Sequence, residues 1–491
     1  MSMPRSSTRR IVYSLAGVAT VCSAFALGMW HGASRARNSD AWVDGRLIST
    51  AIDSVRLNAL DSLPSEELVK RAVSGMLREL KDPYAAMLRP EGFKSYRGTL
   101  MGESDGLGMA LRLQGNTMSV RRVMPGSPAA LAGIRRGDRV LSWNGRASTD
   151  RSLLSGEDTA KASTDRTRLM LRRLPTGEPL AITVRRTLWH APAVTESGLL
   201  GDAVGYVRIA SITQHAADEV ERAVDGMIRQ GARSFVLDLR GNGGGLFEEG
   251  VKIAGLFLPK QALVASLVGR RDADPQAYRV SHSRWPNLPL AVLVDPGTAS
   301  ASEVIAAALR EHGRTVLVGA PTYGKGVVQR VVRLSSDISL RLTTARWTTP
   351  TGRALERREA AGEPPHGGLQ PDVRVRDARL RDPSAIPRAW TSAVAERAIA
   401  VADSAVVHAI AEQWPRSAVG ALEQQVRDFL AMHIGAKRRV AGIDRDAWLD
   451  VTTRLATVRL LELDGATAPL LEYTMRLDET LRLGHTVLSK K

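Results

Sequence analysis

From about residue 204 onward, short apolar runs alternate with segments whose apolar residues recur at helical spacing. The apolar runs predict strands, and the spaced segments predict helices. Two helices are expected, at Asp218–Gln230 and at Ser302–Glu311, and Gly313 follows the second where glycine commonly ends a helix. Strands and helices in alternation indicate an α/β core. Its predicted strands are Val204–Ile209, Phe235–Leu239, Leu290–Val294 and Thr315–Val318.

The region before this core, from Gly102 to about Thr187, has a different sequence pattern, with short β-type runs separated by glycine-rich turns. A short helix with proline in its first turn is expected at Ser127–Ala132. Asn144-Gly145 predicts a tight hairpin turn. These features indicate a separate β-rich domain. Its predicted strands are Met109–Leu113, Ser119–Val123, Arg139–Trp143, Arg168–Arg172 and Ile182–Arg186.

Both flanks of these two regions are predicted to be helical. Between residues 41 and 98 apolar residues recur at helical spacing, and one helix is expected from Ser65 to Asp82. This segment is too short to bury a core of its own, so we expect it to pack on a partner or another protomer. After residue 372 the chain is rich in alanine and arginine and helical to its end. That extension could form a cap, a dimer interface or a docking surface, and the pattern does not choose.

The first forty residues carry a separate signal. Ile11–Trp30 holds no charged residue and follows three arginines, and at about 1.5 Å per residue it is long enough to cross the hydrocarbon core of a bilayer. A basic leader stays in the cytoplasm, so the rest of the chain would be exported. A retained signal anchor and a signal peptide cleaved at Ala24-Phe25-Ala26 both fit, and length favours the anchor. The sequence therefore predicts a single-pass inner-membrane protein whose catalytic domain lies in the periplasm or another extracytoplasmic space.

Composition and charge narrow the function classes. The 491 residues are 44% hydrophobic and 24% charged, which suits a globular protein and excludes collagenous, low-complexity and polytopic membrane classes. Cys22 is the only cysteine, so there is no intramolecular disulfide and no cysteine-based zinc site. The 68 Lys and Arg residues against 51 Asp and Glu give a net charge of +17. This excess favours an anionic partner, either nucleic acid, a lipid surface or acidic peptides.

The positive charge is concentrated in the β-rich region. Between Gly106 and His190 there are 15 basic and 6 acidic residues, so this part carries +9. Export argues against nucleic acid, because chromosomal DNA is not in that compartment. We therefore expect this region, with Arg135, Arg136 and Arg139, to face anionic lipid headgroups or to draw in substrate carboxylates.

A glycine-rich turn is the first segment that could carry chemistry. The strand Phe235–Leu239 runs into Arg240-Gly241-Asn242-Gly243-Gly244-Gly245, and the backbone N–H groups of such a turn can hold an anion. Leu246 occupies the third glycine position of a dinucleotide motif, and no P-loop lysine follows. An oxyanion-binding nest and a simple tight turn both stay open.

A serine at a predicted helix start is the second candidate. Asp295–Glu303 leaves a strand, turns and enters a helix, which would place the Ser300 hydroxyl where amides and the helix dipole favour negative charge. Ser300-x-x-Glu303 is also a capping box, a common structural device. The segment alone does not decide between a nucleophile and a cap.

A lysine in a glycine turn is the third candidate. Lys325 is the only lysine between Gln261 and Ala436. Burial would lower the pKa of its amine toward neutrality, as a general base requires, whereas a surface lysine in a turn is the alternative. None of the nine histidines lies in a nucleophile or metal motif, and His312 would be about 18 Å from Ser300 along one helix.

Together these segments resemble the carboxyl-terminal processing (tail-specific) proteases, a family of serine–lysine peptidases. The glycine-rich strand end, the S-A-S-E helix entry and the Y-G-K-G-x-x-Q turn occur in the family's order, and Leu342–Trp347, Thr349–Arg353 and Gln370–Val373 match the motifs that follow. The resemblance runs from about Leu68 to Val373. It implies an α/β protease core of the crotonase/ClpP-like type, an inserted β-rich PDZ domain, an N-terminal transmembrane anchor and helical N- and C-terminal segments. The corresponding bounds are 1–40 for the leader and anchor (span 11–30), 41–101 for the N-terminal helices, 102–190 for the PDZ domain, 191–376 for the core and 377–491 for the C-terminal helical extension.

The resemblance also implies a role for each site residue. Ser300 would be the nucleophile, Lys325 the general base, and Gln329 the residue that orients the lysine amine. The amides of Gly244 and Ala301 would form the oxyanion hole. If the chain from Lys325 to Gln329 were fully extended, these two residues would be about 13 Å apart, so the proposed contact requires a bend. No metal or cofactor is implied.

The region from Gly106 to about Thr187 resembles a PDZ domain. Gly106, Leu107, Gly108 and Met109 match the loop that holds a peptide's terminal carboxylate, and the peptide would add a strand beside Met109–Leu113. The implied partners are polypeptides with exposed C-termini, the membrane through the N-terminal helix, an adaptor or regulatory lipoprotein, and a second copy of the chain, but not nucleic acid. A catalytically inactive PDZ scaffold at the membrane surface is the alternative. The presence of the serine, the lysine and the glutamine together argues against it.

Overall fold

The structure is a computed structural model, and it describes residues 39–489 with gaps at 62, 115, 149–164, 174–176, 201–202, 271–274, 358–366, 376–390, 413–418, 435–438, 441–442, 464–471 and 476. The predicted membrane span, 11–30, lies outside the described residues. None of the helices in the described part is both long and apolar enough to cross a membrane. The chain divides into two compact units, Met1–Met87 with Leu340–Leu342, and Leu88–Ser339 with Thr343–Lys491.

The first unit is built on two helices, α1 (Ser39–Asn58) and α2 (Ser65–Glu79), as the sequence predicted. It also holds the first two residues of strand β1 (Ala86–Leu88) and part of the later strand with which β1 pairs. Leu68 is the only buried side chain among those described in the two helices. This agrees with a segment that has no core of its own, while its packing on a partner stays a prediction. Large exposed apolar side chains of the two helices are Leu47, Ile48, Val55, Leu57, Val69 and Met76.

The second unit begins with α3 (Pro90–Met101) and β2 (Glu103–Ser104) and continues into a six-stranded antiparallel sheet. Its strands are β3 (Met109–Gln114), β4 (Thr117–Val123), β5 (Arg139–Trp143), β6 (Arg146–Ala147), β7 (Arg166–Arg172) and β8 (Pro179–Arg185), with α4 (Pro128–Leu131) between β4 and β5. The order is β3-β4-β5-β7-β8, and β6 pairs with β5. Asn144 and Gly145 have φ of 49° and 82° in the turn between β5 and β6, as a tight hairpin requires. All five predicted strands and the short helix are confirmed.

The α/β core follows β9 (Trp189–His190), which pairs with β2. Its elements are β10 (Val194–Leu200), β11 (Val204–Ile209), α5 (Ala216–Arg229), β12 (Ser234–Asp238), α6 (Phe247–Leu256), β13 (Leu263–Gly269), β14 (Gln276–Arg279), β15 (Leu290–Val294), α7 (Ala301–Glu311), β16 (Thr315–Gly319), β17 (Val327–Arg333), β18 (Ser339–Thr348) and β19 (Val373–Arg374). The four core strands and two helices predicted from the sequence are present. The hydrophobic pattern missed β10, α6, β13, β14, β17 and β19, and β17 begins at Val327, inside the segment where a bend was expected.

Two sheets organise this core. The central sheet has the order β10-β11-β12-β15-β16-β19, in which β10 is antiparallel to its neighbour and the other strands are parallel. β11 and β15 are buried along their whole length, as expected for parallel strands covered on both faces. The second sheet contains β13, β14, β17 and β18. Val264 and Trp347 of this second sheet join the apolar cluster that α5, α6 and α7 form against the central sheet.

The C-terminal extension is helical, as predicted, with one small hairpin. It contains α8 (Ser392–Ala411), α9 (Val419–Ile434), β20 (Arg439–Val440), β21 (Ile443–Asp444), α10 (Arg445–Leu463) and α11 (Glu479–Ser489). Helices α8, α9 and α10 share an apolar core of their own around Trp448. The last helix is different, because its Leu481 and Leu488 pack with Val236 and Leu293 on one face of the central sheet. The sequence left open whether the C-terminal extension is a cap, a dimer interface or a docking surface. In the structure α11 covers part of the core and acts as a cap.

This packing predicts that α11 stabilises the core. Leu481 is 1% exposed, so Leu481→Ala leaves a cavity and should lower the free energy of unfolding by about 2–5 kcal/mol. Leu131→Ala is the matched control, because Leu131 is 81% exposed and its truncation should change stability by no more than about 0.5 kcal/mol. Denaturant unfolding followed by tryptophan fluorescence measures both changes. Equal effects of the two substitutions would contradict a structural role for α11.

Candidate active site

The carboxyl ends of four neighbouring parallel strands define the candidate site. β11, β12, β15 and β16 run in the same direction, so the loops that follow them leave the sheet at one edge. In open α/β sheets ligands bind at this edge. The glycine-rich turn follows β12, Ser300 follows β15, and Lys325 follows β16. The three segments singled out from the sequence thus leave the same edge of one sheet.

Ser300 has a backbone conformation that few residues adopt. Its φ and ψ are 57° and −122°, whereas a helix N-cap usually has extended angles with negative φ. A strained backbone costs about 1–3 kcal/mol and occurs mainly at functional sites. The Glu303 carboxylate accepts from the Ser300 amide at 2.9 Å, which is one half of a capping box, but the Ser300 side chain makes no cap hydrogen bond. Capping alone does not explain the strain.

Hydrogen bonds from the glycine-rich turn hold the loop before Ser300. Asp295 Oδ1 accepts from the amides of Gly241 at 2.8 Å and Gly297 at 2.9 Å. The Thr298 hydroxyl donates to the Leu239 carbonyl oxygen at 2.9 Å. These hydrogen bonds join the loop after β12 to the loop after β15. Residues outside the Ser300 loop therefore help to hold the strained backbone of Ser300 in place.

Gly244 lies directly against the Ser300 turn. A Cβ on Gly244 would be 2.7 Å from the Ala299 carbonyl oxygen and 2.9 Å from both the Ala301 nitrogen and the Ser300 Cβ. Its φ is 94°, in the region that favours glycine. Only glycine permits this close approach, and it brings together the two residues predicted to form the oxyanion hole.

The two predicted oxyanion donors differ in their present partners. Ala301 is the first residue of α7, so its N–H has no acceptor within the helix. The Gly244 N–H donates to Asn242 Oδ1 at 2.9 Å, and the Asn242 amide donates in turn to the Ile209 carbonyl oxygen at 2.9 Å. Binding of an oxyanion by Gly244 therefore requires this N–H to be shared with, or released by, the buried Asn242.

The carboxylate of Glu303 joins the serine segment to the lysine segment. Oε2 accepts from the main-chain amides of Ser300 at 2.9 Å and Lys325 at 2.8 Å. Oε1 accepts from the Gly324 amide at 2.7 Å and the Thr322 hydroxyl at 2.5 Å. One fully buried side chain thus receives four hydrogen bonds and places the backbones of both predicted catalytic residues beside one oxygen atom.

The carboxyl of Glu303 carries a desolvation cost. Burial raises its pKa above the ordinary value, and the hydrogen bonds from Thr322, Lys325, Gly324 and Ser300 lower the pKa without fully offsetting burial. Ionisation of this carboxyl therefore lowers stability as the pH rises from its ordinary pKa to the raised pKa of the folded state. The four hydrogen bonds fix the geometry of the two segments.

Lys325 and Gln329 are positioned by the second sheet. The Lys325 carbonyl oxygen accepts from the Trp347 indole N–H at 2.9 Å, and Lys325 is half-buried. Gln329 lies within β17, and its side-chain amide donates to the Thr343 hydroxyl of β18 at 3.4 Å. The orienting role expected of Gln329 stays a prediction. His312 ends α7 far from Ser300, and its Nε2 lies 2.7 Å from the Leu263 carbonyl oxygen.

A buried arginine connects the glycine-rich turn with the chain's last helix. Arg240 is 0% exposed and donates from Nε and Nη2 to Asp238, at 2.9 and 2.6 Å. Its Nη1 donates to both carboxylate oxygens of Asp478, at 2.9 and 2.7 Å. Asp478 also accepts from the Leu481 amide and so caps α11. Burial alone would raise the pKa of Asp238, but the charges of Arg240 and Arg208 and the hydrogen bonds from Arg240 lower it overall.

The loop predicted to bind a peptide carboxylate has its carbonyl groups turned inward. The carbonyl oxygens of Leu107 and Gly108 accept from the amides of Ala129 and Met124 at 2.9 and 2.8 Å. Because a trans peptide unit points its N–H opposite to its C=O, the amides of Gly108 and Met109 point away from these partners. The strand that follows, β3, is at the edge of its sheet. Amides available beside a sheet edge are what strand addition requires.

Sequence reasoning missed three residues of this site. Glu303 was visible only as the partner in a capping box, and nothing in its spacing predicts a contact with Lys325. Asn242 was read as part of a turn. Asp478 lies 238 positions from Arg240, so no local pattern could have paired them. Among the described residues there is no group of three or more side chains suited to hold a metal ion.

The bridging role of Glu303 predicts that Glu303→Gln impairs catalysis. The side-chain NH₂ of glutamine would face amide donors that now bind a carboxylate oxygen, so the two segments should shift. Displacements of about 1 Å can lower rates on the order of 100-fold, and we expect this loss in kcat rather than in KM for a peptide substrate. Glu248→Gln, at an exposed position of α6, is the control and should leave kcat unchanged. A folded Glu303→Gln variant with normal kcat would disprove the bridging role.

Comparisons with known proteins agree with this geometry. The profile of "Peptidase family S41" matches residues 203–375, and that of a PDZ domain matches residues 119–186. The predicted carboxylate loop, Gly106–Met109, lies just before the second match. The matched ranges cover the parallel sheet with its three loops and most of the antiparallel sheet.

Relatives with known names share much of the chain. It is 33% identical over 297 residues to the carboxyl-terminal-processing protease of Synechocystis sp., covering 59% of this chain and 68% of the relative. It is 28% identical over 346 residues to the carboxy-terminal processing protease CtpA of Bacillus subtilis, covering 69% and 70%. A solved structure of a photosystem II D1 C-terminal processing protease matches at 28% identity and a TM-score of 0.42, covering 67% of this chain and 87% of that one. The identity to the Synechocystis relative, with the two profile matches, shows that the chain belongs to the carboxyl-terminal processing proteases, serine peptidases of family S41, and carries a PDZ domain.

Proposed function

We propose that this protein is an exported, membrane-tethered endopeptidase that selects substrates by their C-terminal tails and cleaves them with a serine–lysine mechanism. The observation that carries the proposal is the Glu303 carboxylate, which accepts from the main-chain amides of both Ser300 and Lys325. The strained backbone of Ser300 is the second support, because strain of this kind marks functional residues.

The proposed reaction uses only groups of this chain. The neutral amine of Lys325 takes the proton of the Ser300 hydroxyl, and the serine oxygen attacks the carbonyl carbon of the scissile peptide bond. The amides of Gly244 and Ala301 stabilise the negative oxygen of the tetrahedral intermediate. Lys325 then protonates the leaving amine, and a water molecule hydrolyses the acyl-enzyme in a second addition. Gln329 orients the lysine amine.

Substrate selection is assigned to the PDZ domain. A substrate tail would extend the antiparallel sheet at the edge of β3, and the amides of Gly108 and Met109 would hold its terminal carboxylate. The same edge, not a side-chain pocket, would supply most of the hydrogen bonds, so many tail sequences would be accepted.

The location of the protein is inferred from its N-terminal sequence. Ile11–Trp30 is apolar and follows a basic leader, which supports a single span of the inner membrane with the protease outside the cytoplasm. An adaptor or regulatory lipoprotein and a second copy of the chain are the partners we propose in that compartment.

The mechanism predicts that Ser300→Ala and Lys325→Ala each abolish cleavage of an unstructured peptide with an apolar tail. Loss of a nucleophile or its base typically lowers kcat by at least about 10³-fold. Ser302→Ala and Lys260→Ala are the matched controls: Ser302 is buried in the same helix with no hydrogen-bond partner for its hydroxyl among the described residues, and Lys260 is exposed. The measurement is kcat by mass-spectrometric product analysis. If both site variants cleaved as fast as wild type, the serine–lysine assignment would be wrong; if wild type bound tails without any turnover, the protein would act as a PDZ scaffold.

The tail-binding loop gives a separate prediction. A Cβ on Gly108 would lie 2.1 Å from the Ser127 Cβ, and the φ of Gly108 is 74°, so Gly108→Ala must displace the loop. Gly126→Ala is the control, because its φ is similar at 71° and nothing lies within 4 Å of an added Cβ. We expect Gly108→Ala alone to raise the KM of tailed peptides by about tenfold or more, the loss of roughly one charge-assisted hydrogen bond. Peptides with an amidated C-terminus should show no such difference between the two variants, and a difference there would argue against carboxylate recognition.

A further inference from the structure

The outward face of the β7–β8 hairpin in the PDZ domain is strongly basic. Along β7 the buried residues are Thr167, Leu169 and Leu171, and the alternate positions are exposed. The exposed positions carry three arginines and one methionine, and β8 adds a fourth exposed arginine. We call the surface formed by Arg166, Arg168, Arg172 and Arg185 the basic face.

The sheet register places like charges opposite each other on this surface. Arg166 is directly opposite Arg185, and Arg172 is directly opposite Arg139 of β5. Like charges at such positions destabilise a sheet. The ranges of β3, β4, β5, β7 and β8 contain no aspartate or glutamate, so the strands themselves supply no acidic residue to interleave with these arginines.

Burial and a neighbouring like charge both lower the pKa of Arg139. Burial of its guanidinium is the larger cause, the charge of Arg172 lowers the pKa further, and the result is about 10. Loss of positive charge is favoured where a like charge lies close by. An anion bound over these strands would act in the opposite direction and relieve the repulsion.

The basic surface expected around residues 135–139 is only partly exposed. Asp138 is 1% exposed, and Arg173 donates to its two carboxylate oxygens at 2.7 and 2.6 Å. The Arg135 amide donates to the same carboxylate at 2.9 Å. Arg135 is exposed, whereas Arg136 and Arg139 are half-buried. The Asp138 carboxylate thus binds Arg173 and a main-chain amide, and the exposed arginines of the hairpin continue the basic surface from Arg139 to Arg172.

We propose that the basic face binds the phosphate groups of an anionic lipid surface. Arginine binds phosphate through two parallel N–H groups, and residues two apart on a strand are about 7 Å from each other, which makes a flat array of guanidinium groups instead of a pocket. A flat array suits a layer of headgroups better than a single small anion. Met170, exposed between Arg168 and Arg172, gives this array an apolar contact at the headgroup level. The proposal rests on the membrane location proposed above, but not on the protease mechanism.

The test is vesicle binding by the full chain carrying Ser300→Ala, which prevents self-cleavage. Binding is measured by co-sedimentation with vesicles of phosphatidylcholine alone and with vesicles containing one part in three of phosphatidylglycerol. Each basic residue near an anionic surface contributes about 1 kcal/mol, equivalent to about fivefold. The triple variant Arg168→Gln/Arg172→Gln/Arg185→Gln should therefore lose affinity for anionic vesicles on the order of 100-fold, while its binding to neutral vesicles through the N-terminal segment stays unchanged.

The matched control removes the same charge from another surface. Arg222→Gln/Arg229→Gln/Arg233→Gln changes three exposed arginines of the core and should alter anionic-vesicle binding by less than about threefold. Equal losses in both triple variants would mean that net charge alone attracts the protein, and the proposal would be overturned. Binding of an acidic peptide or RNA that depends on the basic face, without any preference for anionic vesicles, would overturn it as well. Peptide cleavage by the two triple variants on the active background should equal wild type, so a failure of the protease assignment would be seen in a different assay.

Discussion

The buried carboxylate of Glu303 is the interaction on which the candidate site depends. Ser300 and Lys325 belong to loops that follow the paired strands β15 and β16, and the Tyr323 amide donates to the Thr298 carbonyl oxygen at 3.0 Å between these loops. A single carboxylate oxygen accepts an amide from each, so the two loops cannot shift separately without breaking a charge-assisted hydrogen bond. Burial raises the pKa of this carboxyl, so its ionised form carries a desolvation cost that the four hydrogen bonds offset in part.

The parallel sheet makes such a bridge possible. Three loops leave its parallel strands at one edge of the sheet. Because residue 244 is glycine, the turn after β12 can lie against the turn after β15. The strands β11 and β15 are buried along their whole length and hold the ends of these loops in fixed positions. A strained backbone such as that of Ser300 persists only when the surrounding structure holds it in this way. The bond from Gly244 to Asn242 shows that one predicted oxyanion donor has an internal partner in this state. If Gly244 takes the predicted oxyanion role, the substrate has to compete with, or share, that bond.

The last helix of the chain, α11, also contacts the central sheet and the residue that precedes the glycine-rich turn. α11 covers one face of the sheet, and Asp478 at its start binds the arginine that precedes the glycine-rich turn. Removing one partner from a buried ion pair is costly, on the order of 3–5 kcal/mol, because the remaining charge is left without compensation. The C-terminal helix is thus built into the protease core, although the match to the family profile ends at residue 375.

The sequence alone determined the elements and the chemistry-bearing segments. Periodicity located β11, β12, β15, β16, α5 and α7, and the glycine, serine and lysine motifs identified the family, because these features depend on local backbone preferences and on residue type. It missed β10, α6, β13, β14, β17 and β19, and it could not choose between a cap and a nucleophile at Ser300. Tertiary structure located the missed elements and showed the strained backbone of Ser300, while the role of Ser300 as nucleophile stays a proposal. The contacts of Glu303 with Lys325 and of Arg240 with Asp478 join residues that are distant along the chain, and the opposed arginines of the basic face arise from strand register. The hydrophobic pattern does not predict such pairings, because these residues come into contact only when the sheet forms and its strands and loops lie side by side.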